Sequence, residues 1–68
     1  MTDLNVNDAI HAHKEGKLGE AEKLYCSILK NQPTNLMVRN NFSALLITLG
    51  RFDEAAANYQ KIIEIKPD

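Results

Sequence analysis

The tract GKLGEAEKLYCSILKNQP, from Gly16 to Pro33, returns 34 residues later as GRFDEAAANYQKIIEIKP, from Gly50 to Pro67. Gly16 falls on Gly50, Glu20 on Glu54, Ala21 on Ala55, Tyr25 on Tyr59, Ile28 on Ile62 and Pro33 on Pro67. Lys17 with Arg51, Leu18 with Phe52 and Leu29 with Ile63 add conservative matches. A repeat of this length marks a chain built from stacked copies of one supersecondary unit. Two copies are expected, one over about residues 2–35 and one over about 36–68, in one domain spanning 1–68.

Each unit reads as two helices. In the second, Leu36, Val38, Phe42, Leu45, Leu46 and Leu49 recur at helical spacings and give one wide apolar face. Gly50 then stops the helix, because glycine enters the left-handed region without a Cβ clash. Ala55, Tyr59, Ile62 and Ile63 form a second stripe, with Asp53 and Glu54 near the positive N-terminus of its helix. Pro67 closes the unit. In the first unit Leu4, Val6 and Ile10 supply one helix, capped by Thr2 or Asp3. Ala21, Leu24, Tyr25, Ile28 and Leu29 supply the other. Thr34 or Asn35 caps the helix that follows Pro33. The expected helices lie near 3–15, 19–31, 35–48 and 53–66, and their short connections make neighbours antiparallel. Ala21 and Ala55 fall where the helices of a hairpin cross, and there a methyl group allows close approach. Tyr59 and Ile62 are expected to fill the core behind Ala55, while Ala56 and Ala57 serve as strong helix formers.

The chain has 68 residues, 44% hydrophobic and 25% charged, which suits one small folded domain better than disorder. A net charge of −1 gives no electrostatic reason for a nucleic-acid partner. The longest apolar run, Ala44 to Ile47, is far short of the roughly 20 residues that span a bilayer, so no membrane partner is expected. No secretory signal pattern is present. The single cysteine, Cys26, excludes an internal disulfide and fits a cytoplasmic location.

The groups that could carry chemistry do not assemble in the sequence. His11 and His13 are two apart, so on a helix they diverge, and no metal site is expected. Cys26 has no base beside it and reads as a partly exposed free thiol. Glu20 and Glu22 diverge in the same way and read as surface charges. Lys14, Glu15, Lys17, Lys61 and Glu64 read as a solvated face with weak pairings. The three glycines form no phosphate-cradling loop. Neither catalysis nor a cofactor is expected.

These residues resemble the tetratricopeptide repeat, a family with a 34-residue helix–turn–helix unit. In the second unit Phe42, Ser43, Leu46, the turn LGRFDEA, Tyr59, Ile62 and Pro67 carry the likeness. In the first, GKLGEAEKLYCSILKNQP and Ala9 carry it, while Asp8 stands where the family usually has leucine. Asn5 and Arg39 stand where it often has tryptophan. The likeness covers residues 2–68 and implies an all-α fold of two tandem hairpins, four antiparallel helices in a short right-handed stack. AIHAHKEGKLGEAEKLYCSILKNQPTN also resembles the opening of bacterial multi-repeat proteins. Their downstream domains are often glycosyltransferases, sulfotransferases or methyltransferases, so a fragment of a longer enzyme is one expectation.

The family resemblance implies a non-enzymatic module that binds a peptide or partner helix along the first helix of each unit. Projected here, that surface comprises Asp3, Val6, Ile10, His13 and Lys14, then Met37, Asn40, Asn41, Ala44, Ile47 and Thr48. The amides of Asn40 and Asn41 both donate and accept, which suits a peptide backbone. Relatives that clamp a terminal carboxylate use polar or basic groups where this chain has Val6 and Ile10, which disfavours that ligand. A competing expectation is a homodimer through the uncovered last helix, with Tyr59, Ile63 and Ile65 as its contact residues.

Overall fold

The computed structural model describes residues 6–66. They form four helices: α1 Val6–Lys14, α2 Leu18–Asn31, α3 Leu36–Thr48 and α4 Phe52–Ile65. There is no strand among the described residues, and the fold is all-α. The helices fall within about one residue of the expected spans from 19 onward. The expected caps Thr2 and Asp3, the residues Leu4 and Asn5, and the closing Pro67 lie outside the described residues.

Both hairpin turns use glycine in the same way. Gly16 has φ +81° and Gly50 φ +76°. The residue after each glycine reaches back over the helix end: Lys17 N–H donates to the Ala12 carbonyl at 2.9 Å, and Arg51 N–H to that of Leu46 at 2.8 Å. This left-handed closure satisfies carbonyls that a helix end otherwise leaves bare. Asn35, one of the two caps considered, starts α3 by accepting from the Val38 N–H at 3.2 Å.

The helices pack in sequence, α1 on α2, α2 on α3 and α3 on α4, and α3 also touches α1. Helix α3 therefore meets all three others, which explains its apolar composition on several sides. The core joins Ala9, Ala12, Ala21, Tyr25, Ile28, Val38 and Leu45. Ala21 and Ala55 are buried at the hairpin crossings, as their size predicts. In α1 the buried residues are Ala9 and Ala12, whereas Val6 and Ile10, expected to supply its apolar face, are half-buried. Close approach to α2 at Ala21 selects the small side chains and leaves the larger ones at the edge.

Two polar contacts fix how the elements sit. Arg51, in the α3–α4 turn, pairs with Glu22 of α2 at 2.7 Å and with Glu54 of α4 at 2.6 Å. Glu22 is thus a tie between hairpins and not the free surface charge its spacing suggested. Within the second hairpin, buried Asn58 donates from Nδ2 to the Arg39 carbonyl and to Ser43 Oγ, both at 2.9 Å. Its Oδ1 accepts from Arg39 Nη1 at 2.7 Å. Arg39, at a position where the family often has tryptophan, fills that place with a hydrogen-bonded network.

Candidate functional site

Helix α3 presents Met37, Asn40, Ala44, Ile47 and Thr48 to solvent, with Asn41 half-buried beside them. Met37 is 54% exposed and Ile47 44%, which is high for large apolar groups in so small a fold. Neither Asn40 nor Asn41 makes a side-chain hydrogen bond to another described residue, so their amides are available. Thr48 Oγ1 turns back to the Ala44 carbonyl at 3.1 Å and is committed locally. From α1, Lys14 is exposed, while Val6, Ile10 and His13 are half-buried. Asp3 lies outside the described residues.

The two histidines diverge as expected, but only one is solvated. His11 is exposed and lies 3.3 Å from Glu15. His13 is half-buried, its Nδ1 3.1 Å from the Tyr25 hydroxyl and its ring edge-on to Tyr25 at 5.9 Å. Helix α1 turns His13 onto α2, where it gives the buried phenol a hydrogen-bond partner. Burial pushes the Tyr25 phenol above its ordinary value. Tyr25 also lies against Phe42 of α3, with ring centroids 6.1 Å apart.

Cys26 is free and exposed. Desolvation first, then the Glu22 carboxylate, pushes its thiol above the ordinary value, against the nearby Arg51 guanidinium. Among the described residues no cluster of His, Cys, Asp and Glu could hold a metal, and no helix is long and apolar enough to cross a membrane.

The last helix carries the other group of exposed apolar residues. Tyr59, Ile63 and Ile65 all face solvent, so Tyr59 does not fill the core as its place in the stripe predicted. The core position on that turn belongs to Asn58, which sequence reasoning missed. A signal existed: Asn58 is three residues after Ala55 and four before Ile62, on the same stripe, and its counterpart in the first unit is Leu24.

Comparison with known proteins bears on these surfaces. Residues 38–68 match the tetratricopeptide repeat family. The second hairpin is thus a tetratricopeptide repeat. The chain is 38% identical over 55 residues to two Hsp70-Hsp90 organising proteins of Plasmodium falciparum, one of them from isolate 3D7. The aligned region is 81% of this chain but 22% and 10% of those relatives, so the chain spans a small part of their length. No solved structure matches it.

Proposed function

We infer that the chain is a non-enzymatic, cytoplasmic interaction module that holds a peptide or partner helix against the α1–α3 face. The observation that carries this reading is the row on α3: exposed Met37 and Ile47 flank small Ala44, with the unpaired amides of Asn40 and Asn41 alongside. Apolar side chains of a ligand would seat on Met37 and Ile47, and its backbone would pass over Ala44 within reach of the amides. Lys14 is the one cation among these residues, which favours an uncharged or apolar segment over an acidic chain end. The names of the relatives make Hsp70 and Hsp90 the first partners to try. Immobilised chain would be offered each of them, with Asn40→Ala/Asn41→Ala and Ala44→Trp as controls. Capture that survives both changes and is lost on Ile63→Ser overturns the reading.

A second reading, self-association through Tyr59, Ile63 and Ile65, rests on an internal comparison. Tyr25, covered by α3, is 0% exposed, whereas Tyr59, one repeat later, is 39%; Ile63, the counterpart of half-buried Leu29, is 55% exposed. Helix α1 of another copy is a poor cover: Asp8 and His11 stand one repeat before Phe42 and Leu45, and both are exposed. Pairing would therefore join α4 to α4 and stop at a closed dimer. Sedimentation over a wide concentration range tests it; a monomer throughout excludes it.

A further inference from the structure

A second recess lies on a different part of the molecule. Arg39, Phe42 and Leu46 of α3 and Glu54, Ala57, Asn58 and Lys61 of α4 enclose about 280 Å³. None of these residues belongs to the α1–α3 row or to the exposed patch of α4. The apolar part of the lining is Phe42, backed by Tyr25, together with Leu46 and Ala57. The two ends differ in charge. At one, the Glu54 carboxylate shares Arg51 with Glu22, so that cluster of two anions and one cation stays negative. At the other stands Arg39, half-buried and fixed by two hydrogen bonds, Nε to the Pro33 carbonyl and Nη1 to Asn58 Oδ1, each 2.7 Å.

Both acceptors of Arg39 are neutral, and no carboxylate of the described residues pairs with it. Lys61, on the same wall, has a loose contact with Glu64 at 3.9 Å. The recess thus combines an apolar floor with an immobilised guanidinium whose charge is unmatched. A guanidinium held in one rotamer takes a carboxylate with little further loss of side-chain freedom. The volume lies just below the roughly 300–1,000 Å³ of small-molecule pockets and suits one anchoring side chain.

We propose that this recess docks a segment of a partner protein carrying a large apolar side chain with a carboxylate next to it. The apolar group sits over Phe42, Leu46 and Ala57, and the carboxylate meets Arg39. Arg51, hydrogen-bonded to Glu54, offsets part of the repulsion from that carboxylate. The site is independent of the α1–α3 row, so one chain can hold two segments at once.

The test uses two capped dipeptides, acetyl-Leu-Glu-amide and acetyl-Leu-Gln-amide, titrated into isotopically labelled chain and followed by amide NMR. Shifts are expected at the Asn58 side-chain amide, Ala57 and Lys61, with the Glu peptide binding up to about five-fold more tightly, as for a partly exposed charge pair. Arg39→Gln should remove that preference. Ala57→Trp, which fills the recess from its exposed wall, should abolish the shifts while leaving the rest of the spectrum in place. Absence of shifts, equal binding of the two peptides, or shifts confined to Asn40, Ala44 and Ile47 overturns the proposal. Hexanoate binding as tightly as the Glu peptide overturns the assignment to a peptide.

Discussion

Tyr25 and Tyr59 occupy the same place in successive repeats, yet Tyr25 is fully buried and Tyr59 is 39% exposed. The difference is one neighbour. Helix α3 lays Phe42 against Tyr25, and no described helix does the same for Tyr59. Equal substitutions should therefore have unequal effects. Tyr25→Ala is expected to cost about 3–5 kcal/mol, as for other buried aromatics, and in a domain this small to unfold most of the population. Tyr59→Ala should leave the urea midpoint of the dilute chain nearly unchanged. Equal losses at the two sites would mean that Tyr59 is covered in solution.

The turn glycines give a purely conformational prediction. Nothing lies within 4 Å of a Cβ added at Gly50. The cost of Gly50→Ala is then that of a side chain at φ +76°, roughly 1–2 kcal/mol. Gly16→Ala should match it, and urea denaturation of the two variants measures both.

Asn58 and Asn40 separate stability from binding. Asn58→Ala removes the donor to the Arg39 carbonyl and Ser43 Oγ inside the second hairpin, and about 1–3 kcal/mol should be lost. Asn40→Ala should barely move the urea midpoint while weakening capture of a partner on the α1–α3 face.

The Arg51 bridge predicts how stability responds to acid. Hydrogen bonds from Arg51 hold the Glu54 carboxylate below its ordinary range. Its stabilisation is complete above the unfolded-state carboxylate pKa and is lost as pH falls from there through the lower folded-state value. Glu54→Gln should flatten the fall in urea midpoint across that window. High salt should shrink the difference, since the pair is exposed.

Asp8 tests whether self-association is closed. Should the chain dimerise, replacing Asp8 by Phe and His11 by Leu gives α1 the residue types that α3 sets against α2. Sedimentation of that variant should then show species beyond the dimer, growing with concentration. A variant that still stops at the dimer would assign no blocking role to Asp8 and His11.

Much of this was legible along the chain. The 34-residue self-match, the period of the apolar residues and the two turn glycines specify two helical hairpins, because each depends on neighbours within a few turns of the same segment. Ala21 and Ala55 were readable for the same reason: a hairpin crossing demands a small side chain. The candidate row on α3 is what the family resemblance implies, and that on α4 follows from the apolar stripe of the last helix.

What sequence could not decide depends on which neighbour each face meets. His13 looked like part of a binding face, yet α2 brings Tyr25 within 3.1 Å of it. Glu22 looked like a surface charge until the α3–α4 turn delivered Arg51 to it at 2.7 Å. Tyr59 looked like core because its stripe is apolar, and Asn58, polar on that stripe, was missed. Burial, however, is fixed by packing partners, and α3 reached Asn58 with a carbonyl and a hydroxyl that satisfy it. Local periodicity determined the helices and their hairpins. Contacts between residues 6 to 29 places apart decided which side chains were enclosed and left Arg39 held between neutral acceptors.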